Sequence, residues 1–313
     1  MSIQISVVIP LYNEEENIDI LFKRVIGALE SLKLTYEIIC INDGSKDKTL
    51  DILIDYYLNN SDIKVINLSR NFGKDIALTA GIDYASGNAV IPIDADLQDP
   101  PELIGEMVLK WQEGYDIVYA TRKTRQSETW FKRSTANAFY VLLGKITKIS
   151  IPRNTGDFRL LDRKAVEALK RLPERTRFMR GLFAWVGFKS TYILFERQPR
   201  YQGNTKWNYW KLWNFALDGI TSFSLLPLKI WTYVGLIISL LSLFYASFLV
   251  IRTIFLGIDV PGYASLMVTI LFLGGIQLIT LGIIGEYLGR VYEEIKGRPL
   301  YIVRDLYGLD KQN

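Results

Sequence analysis

A chain of 313 residues, 49% apolar and 22% charged, is too hydrophobic for disorder and long enough for one large domain or two modest ones. Its 37 basic residues exceed its 33 acidic ones by too little to imply nucleic-acid binding. The absence of histidine excludes a Ser-His-Asp triad, a histidine general base and a histidine-containing zinc site, leaving carboxylates and metal-assisted chemistry.

Met1 to Pro10 has no basic region before an apolar stretch of signal-peptide length, so it reads as a strand entering a soluble domain that starts in the cytoplasm. Up to about Ala120, short β-branched runs alternate with amphipathic ones, the rhythm of βαβ units. Strands are predicted over Ile3 to Ile9, Tyr36 to Ile41, Ile63 to Leu68, Ala89 to Ile93 and Asp116 to Tyr119. Helices are predicted over Glu15 to Ser31, Lys48 to Asn59, Asp75 to Ala85 and Pro101 to Glu113, the last opened by proline. The single cysteine, Cys40, lies in the second strand; no internal disulfide is possible, and a reducing compartment is the simpler setting. In an open α/β sheet ligands bind beyond the carboxyl ends of the strands, so the residues just after each strand are the first candidates for chemistry.

Asp94-Ala95-Asp96 follows the strand Ala89 to Ile93 directly. Two carboxylates one residue apart either form a solvated turn or share a divalent cation, and hard oxygen ligands beside a diphosphate suit Mg²⁺ or Mn²⁺.

Farther along, Trp130 to Ile146 and Trp207 to Phe223 interleave aromatic with basic residues. Each is either an ordinary amphipathic helix on the sheet or a helix lying in the headgroup region of a bilayer. Ile230 to Val250 and Gly262 to Gly285 are free of charge and long enough to span about 30 Å of hydrocarbon. Basic residues flank the pair on both outer sides (Lys206, Lys211 and Lys229 before it; Arg290, Lys296, Arg298 and Arg304 after it), which puts both termini on the cytoplasmic side. Gly274, Gly275, Gly282 and Gly285 permit close helix packing and hence a homo-oligomer.

Taken together, Ser6 to Glu15 (SVVIPLYNEE), Ile41 to Asp47 (INDGSKD) and Asp94 to Glu102 (DADLQDPPE) resemble glycosyltransferase family 2, whose nucleotide-binding fold is called GT-A. Asn154 to Arg163 (NTGDFRLLDR) and Arg200 to Trp207 (RYQGNTKW) resemble the branch that includes dolichol-phosphate mannose synthase. The paired spans ending in GEYLGR bring the chain closer to bacterial polyprenyl-phosphate glucosyltransferases. The resemblance covers nearly the whole chain. It implies a Rossmann-like, mostly parallel α/β sheet and an inverting transfer of a hexose onto polyprenyl phosphate, undecaprenyl phosphate in bacteria, for later glycan or lipopolysaccharide modification. The expected donor is UDP-glucose, with UDP-N-acetylglucosamine or GDP-mannose as alternatives.

By the same resemblance Pro10, Tyr12, Asn13, Glu14, Asp43, Gly44, Ser45, Asp94 and Ala95 face the donor nucleotide. The metal is held near Asp94, Asp96 and Gln98, Asp157 matches the family's catalytic aspartate, and Asp96 is expected to share the catalytic role. A phosphate monoester has a second pKa near 6, so its nucleophilic oxyanion is already formed at neutral pH and a strong general base is unnecessary. Asp157 is therefore expected to orient the acceptor or stabilise positive charge at the anomeric carbon. Arg122, Arg133, Arg200 and Lys206 suit the acceptor phosphate, or else anionic lipid at the membrane surface.

The expected organisation is a cytoplasmic catalytic domain over 1–206, including the amphipathic segment 130–146, and an interfacial helix over 207–227. Two transmembrane helices within 228–288 (about 230–254 and 262–286) and a cytoplasmic tail over 289–313 follow, in an integral protein of the cytoplasmic membrane. A processive polysaccharide synthase is disfavoured, because there is no Gln-x-x-Arg-Trp motif and two spans are too few for a polymer channel. A non-catalytic membrane scaffold would not need Asp94, Asp96, Gln98, Asp157, Arg200 and Lys206 together.

Overall fold

The computed structural model describes residues 3–123, 155–172, 174–175, 177, 179–196, 226–256 and 262–310. The chain divides into two compact units, Met1–Ala216 with Pro299–Asn313, and Leu217–Arg298.

The first unit is an α/β sandwich. Its strands are β1 (Ile5–Leu11), β2 (Tyr36–Asn42), β3 (Ile63–Leu68), β4 (Ala89–Pro92), β5 (Ile117–Arg122), β6 (Thr155–Asp162), β7 (Ser190–Phe195) and β8 (Val303–Tyr307). The helices of this unit are α1 (Ile18–Glu30), α2 (Thr49–Asn59), α3 (Lys74–Tyr84), α4 (Ile104–Gln112), α5 (Arg163–Lys170) and α6 (Met179–Trp185). One eight-stranded sheet runs in the order β7-β5-β6-β4-β1-β2-β3-β8. The expected βαβ rhythm accounts for its centre, where β4, β1, β2 and β3 are parallel.

The near-continuous apolar runs of β1 and β2 reflect burial on both faces. Ile5, Val7, Ile9 and Leu11 join Ile18, Leu21, Phe22, Val25 and Leu29 of α1 in one core cluster. On the opposite face α3 packs so closely that a Cβ on Gly81 would fall 2.3 Å from Val8 and 2.5 Å from Ile41. Helix α4 is entered through a 3₁₀ turn at Pro101–Leu103, so the proline-opened helix predicted from Pro101 begins as α-helix only at Ile104.

The sheet is mostly parallel, as expected, with six strands running in one direction; β6 runs antiparallel to both β4 and β5, and β8 antiparallel to β3. One expectation is corrected. The segment after 288 is not a separate tail: helix continues to Ile295, and Val303–Tyr307 returns as the edge strand β8. Physically, β3 would otherwise present an open edge, and β8 covers it. A chain of amides fastens the junction, with Asn42 Nδ2 donating to Asn67 Oδ1 at 2.9 Å and Asn67 Nδ2 to Asp305 Oδ2 at 2.7 Å.

The second unit contains α7 (Leu226–Leu256) and α8 (Tyr263–Ile295). Among the described residues one helical stretch, Val268–Ile295, is long and apolar enough to cross a membrane, and its apolar window is not buried inside the protein. The other expected span falls in α7. The amphipathic segment 130–146 and all but the last two residues of 207–227 lie outside the described residues, as do Arg133, Arg200 and Lys206.

Candidate active site

The carboxyl ends of β1, β2, β3 and β4 lie side by side, and the loops that leave them are tied together. Asn13 takes a left-handed conformation (φ 54°) that turns the chain out of β1. Its backbone N–H donates to Ser45 Oγ (3.0 Å), and its side-chain oxygen accepts from Lys46 N (2.8 Å). Glu14 N donates to Thr49 Oγ1 at 3.0 Å. The residues expected at the nucleotide, Tyr12 to Glu14 and Asp43 to Ser45, thus form one continuous rim. Gly44 (φ 66°) is required there, because a Cβ would lie 2.5 Å from the backbone of Arg70 and Asn71.

Asp43 is buried and anchors the β3–α3 loop: Oδ1 accepts from Phe72 N at 2.7 Å and Oδ2 from Gly73 N at 2.9 Å. Burial raises its carboxyl pKa despite these bonds and the nearby Arg70 charge. Gly73 (φ 98°) then starts α3, so the first helical residue, Lys74, is held at the mouth of the site.

After β4 the loop alternates. Asp94, Asp96 and Gln98 are half-buried, whereas Ala95, Leu97 and Asp99 are buried, so the three residues expected at the metal are each partly open to solvent. A left-handed Leu97 (φ 57°), costly for a side chain with a Cβ, and the bond from Gln98 N to Asp96 Oδ1 (3.2 Å) hold this turn. Among the described residues no three acidic side chains gather into a metal cage.

The antiparallel direction of β6 supplies the remaining carboxylate. Extending the register Ala89↔Asp162, Val90↔Leu161 brings residue 157 opposite residue 94. Lys74 bridges them. Its Nζ lies 2.7 Å from each carboxylate oxygen of Asp94 and 2.5 Å from Asp157 Oδ2. Arg180 Nε, from α6, donates to the other oxygen of Asp157 at 3.1 Å. Asp157 is therefore a buried carboxylate with a cation on each oxygen. Desolvation opposes its charge, but Lys74, Arg180 and Arg159 outweigh it and hold the carboxyl well below the usual carboxylate range. Asp75, next along α3, is pushed the other way, to about 7, by burial and by the Asp157 charge. Its folded pKa exceeds the unfolded value, so Asp75 withdraws stability as pH rises from about 4 to 7.

Arg159 is fully buried. Its guanidinium lies 4.1 Å from the Phe183 ring centroid and 5.1 Å from that of Tyr119. Nε donates to the Asp157 carbonyl (3.2 Å) and Nη2 to that of Gly156, and burial lowers its pKa to about 10. Arg159 is a positioning residue: it fixes the Gly156–Asp157 backbone and, through Phe183, the helix that carries Arg180. Substitution with methionine fills the volume but unpairs two carbonyls, while relieving a desolvated charge. The two stability effects offset each other to within about 1–3 kcal/mol. Turnover is expected to fall about tenfold or more through misplacement of Asp157, measured as kcat beside the melting temperature. Unchanged turnover would remove the positioning role.

Arg122 lies nearby, at Gly156. Its Nη2 and Asp99 Oδ2 lie 3.5 and 3.6 Å from where a Cβ on Gly156 would stand. Of the residues expected at the phosphate, Arg122 is the one among the described residues, and it lies beside Gly156 and Asp99. Lys74, Arg159 and Arg180 were not anticipated from the sequence. The rule that directs attention to strand ends would have found Lys74 after β3; Arg180, 23 residues beyond Asp157, has no local signal.

A family model for glycosyl transferase family 2 matches residues 6–170, and one for the GtrB C-terminal hairpin matches 226–291. A glycosyltransferase of Synechocystis sp. is 73% identical over 310 residues, 99% of this chain and 98% of that protein. The bactoprenol glucosyl transferase of Shigella phage SfV is 48% identical over 302 residues, 96% of this chain and 98% of that protein. Among solved structures, glucosyl-3-phosphoglycerate synthase from Mycobacterium tuberculosis, in complex with Mn²⁺, UDP-glucose and phosphoglyceric acid, is similar in fold. It has a TM-score of 0.50 at 20% identity, covering 70% of this chain and 77% of that one. With more than half of its length in the first model and near-full-length relatives at this identity, the chain belongs to glycosyltransferase family 2.

Proposed function

We propose that this chain transfers a hexose, glucose from UDP-glucose, onto polyprenyl phosphate at the cytoplasmic face of a membrane. The observation that carries the reading is the joining of Asp94, Lys74, Asp157 and Arg180 into one site at the carboxyl end of the sheet. In the reaction an oxygen of the acceptor phosphate attacks the anomeric carbon, the bond from that carbon to the donor diphosphate breaks, and UDP departs with the electron pair. No proton need be removed from a dianionic acceptor. Asp157, charged throughout, balances positive charge developing at the anomeric carbon. Lys74 and Arg180 keep that carboxylate ionised and aimed.

The donor set fits a divalent cation: Asp94 and Asp96 are each partly open to solvent, and a cationic group already contacts both oxygens of Asp94. A bound Mg²⁺ or Mn²⁺ would neutralise charge on the leaving diphosphate. Asp94, Asp96 and Gln98 would hold it, with Tyr12 to Glu14 and Asp43 to Ser45 on the nucleotide.

The lipid side is supported by where the chain leaves the sheet. Strands β5 and β7 are parallel, Lys123 N donates to Phe195 O (2.9 Å), and both strands end beside Arg122, at the Asp157 end of the sheet. The segments bearing Arg133, Arg200 and Lys206 thus start from that end. Helices α7 and α8 are read as a transmembrane hairpin with both ends cytoplasmic. The bactoprenol glucosyl transferases at 48% identity favour undecaprenyl phosphate and glucose among the possible acceptors and donors.

The test is a donor panel. Purified full-length protein with Mn²⁺, undecaprenyl phosphate and separate UDP-glucose, UDP-N-acetylglucosamine and GDP-mannose is expected to yield a lipid whose mass increases by one hexose from UDP-glucose. Product from another donor alone would correct the sugar, and no glycolipid from any donor would refute the reading.

A further inference from the structure

We propose that Lys74 is a resident counter-cation for Asp94 that makes divalent-cation binding depend on the nucleotide. The inference rests on the reading of Asp94 as a metal ligand and adds to it an order of events.

The Lys74 ammonium straddles the Asp94 carboxylate, 2.7 Å from both oxygens, and spends its third donor on Asp157. That is the place a cation takes when it uses both oxygens of Asp94. A divalent ion therefore competes with a charge-assisted bond already made, rather than meeting a bare carboxylate. Both groups can part, since the side chains of Lys74 and Asp94 are 43% and 29% exposed. The root of Lys74 cannot follow, because Asp43 clamps the loop before it through the amides of Phe72 and Gly73. Only the four-carbon stem moves.

An ion arriving alone displaces Lys74 and leaves its ammonium with one of its two carboxylates. An ion arriving with a nucleoside diphosphate brings new negative charge for that ammonium. Metal and nucleotide thus bind with positive coupling, and by linkage each strengthens the other by the same factor. Lys74→Met removes the competitor. The free protein should then bind the ion on the order of tenfold more tightly, and the coupling to nucleotide should shrink. Lys74→Arg keeps a cation that can straddle a carboxylate and should behave like the wild type.

Mn²⁺ binding to the full-length protein, followed by electron paramagnetic resonance of the free ion with and without UDP, tests this without an activity assay. Expected are weak Mn²⁺ binding strengthened by UDP in the wild type and in Lys74→Arg, tighter UDP-independent binding in Lys74→Met, and loss in Asp94→Asn. If Lys74→Met binds Mn²⁺ no more tightly than wild type while Asp94→Asn loses it, the counter-cation role is overturned and the metal assignment stands. A Lys74→Arg protein that behaves like Lys74→Met also overturns it. If Asp94→Asn binds Mn²⁺ as the wild type does, the metal assignment itself fails, and the proposal with it.

Discussion

Asp157→Asn is expected to lower kcat by about a hundredfold or more, the range found when one electrostatic contact to a charged transition state is removed. The substitution is nearly isosteric, so what it deletes is charge. Lys74 and Arg180, each bonded to one oxygen of Asp157, would lose that anionic contact beside the sugar. Cations that have lost this carboxylate are the wrong environment for an anomeric carbon becoming positive.

The pH dependence separates this role from proton abstraction. Asp157 is depressed by Lys74, Arg180 and Arg159 against the opposing effect of burial. It stays ionised across neutral pH, and the stability it contributes is present above about pH 4, being lost only as pH falls through its folded value. Asp75, pushed to about 7, also titrates in this range, so an acid limb near pH 6 that survives in both Asp157→Asn and Asp75→Asn belongs to the acceptor phosphate. A limb abolished in Asp157→Asn but unmoved in Asp75→Asn would show that Asp157 titrates during turnover.

Asp94→Asn is expected to reduce kcat/KM by about a thousandfold, the several kcal/mol that a divalent cation contributes at a leaving phosphate. The amide retains one oxygen but not the charge. The same change frees Lys74 from one of its two carboxylates, so the loss should not be recovered by raising Mn²⁺ tenfold. Recovery of most of the activity at high Mn²⁺ would mean that Asp94 only strengthens metal binding and takes no part in the transition state. Asp96→Asn provides the comparison, because Asp96 accepts from Gln98 N and shapes the turn as well as being partly open to solvent.

Different parts of the protein were legible to different degrees. The central strands and their helices appeared in the sequence within a few residues, because β-branched runs buried on both faces and amphipathic helices write their burial into local order. Strand β3, predicted over Ile63 to Leu68, has those bounds. The alternation after β4, with Asp94, Asp96 and Gln98 partly open to solvent, is also local. Strand β8 was missed because five residues after a long apolar helix carry too little pattern, and their partner is β3, 238 residues away at the Asn67–Asp305 bond.

What the sequence determined by itself was the family, through ordered motifs, and which carboxylates are candidates for the site, because residue type and position after a strand are properties of one short segment. Only the tertiary structure decided how those carboxylates are charged. Lys74 and Asp157 are 83 residues apart in the chain and meet because β6 runs antiparallel to β4 while α3 begins beside them. Charge compensation acts through space over a few ångströms, and no spacing along the chain records it.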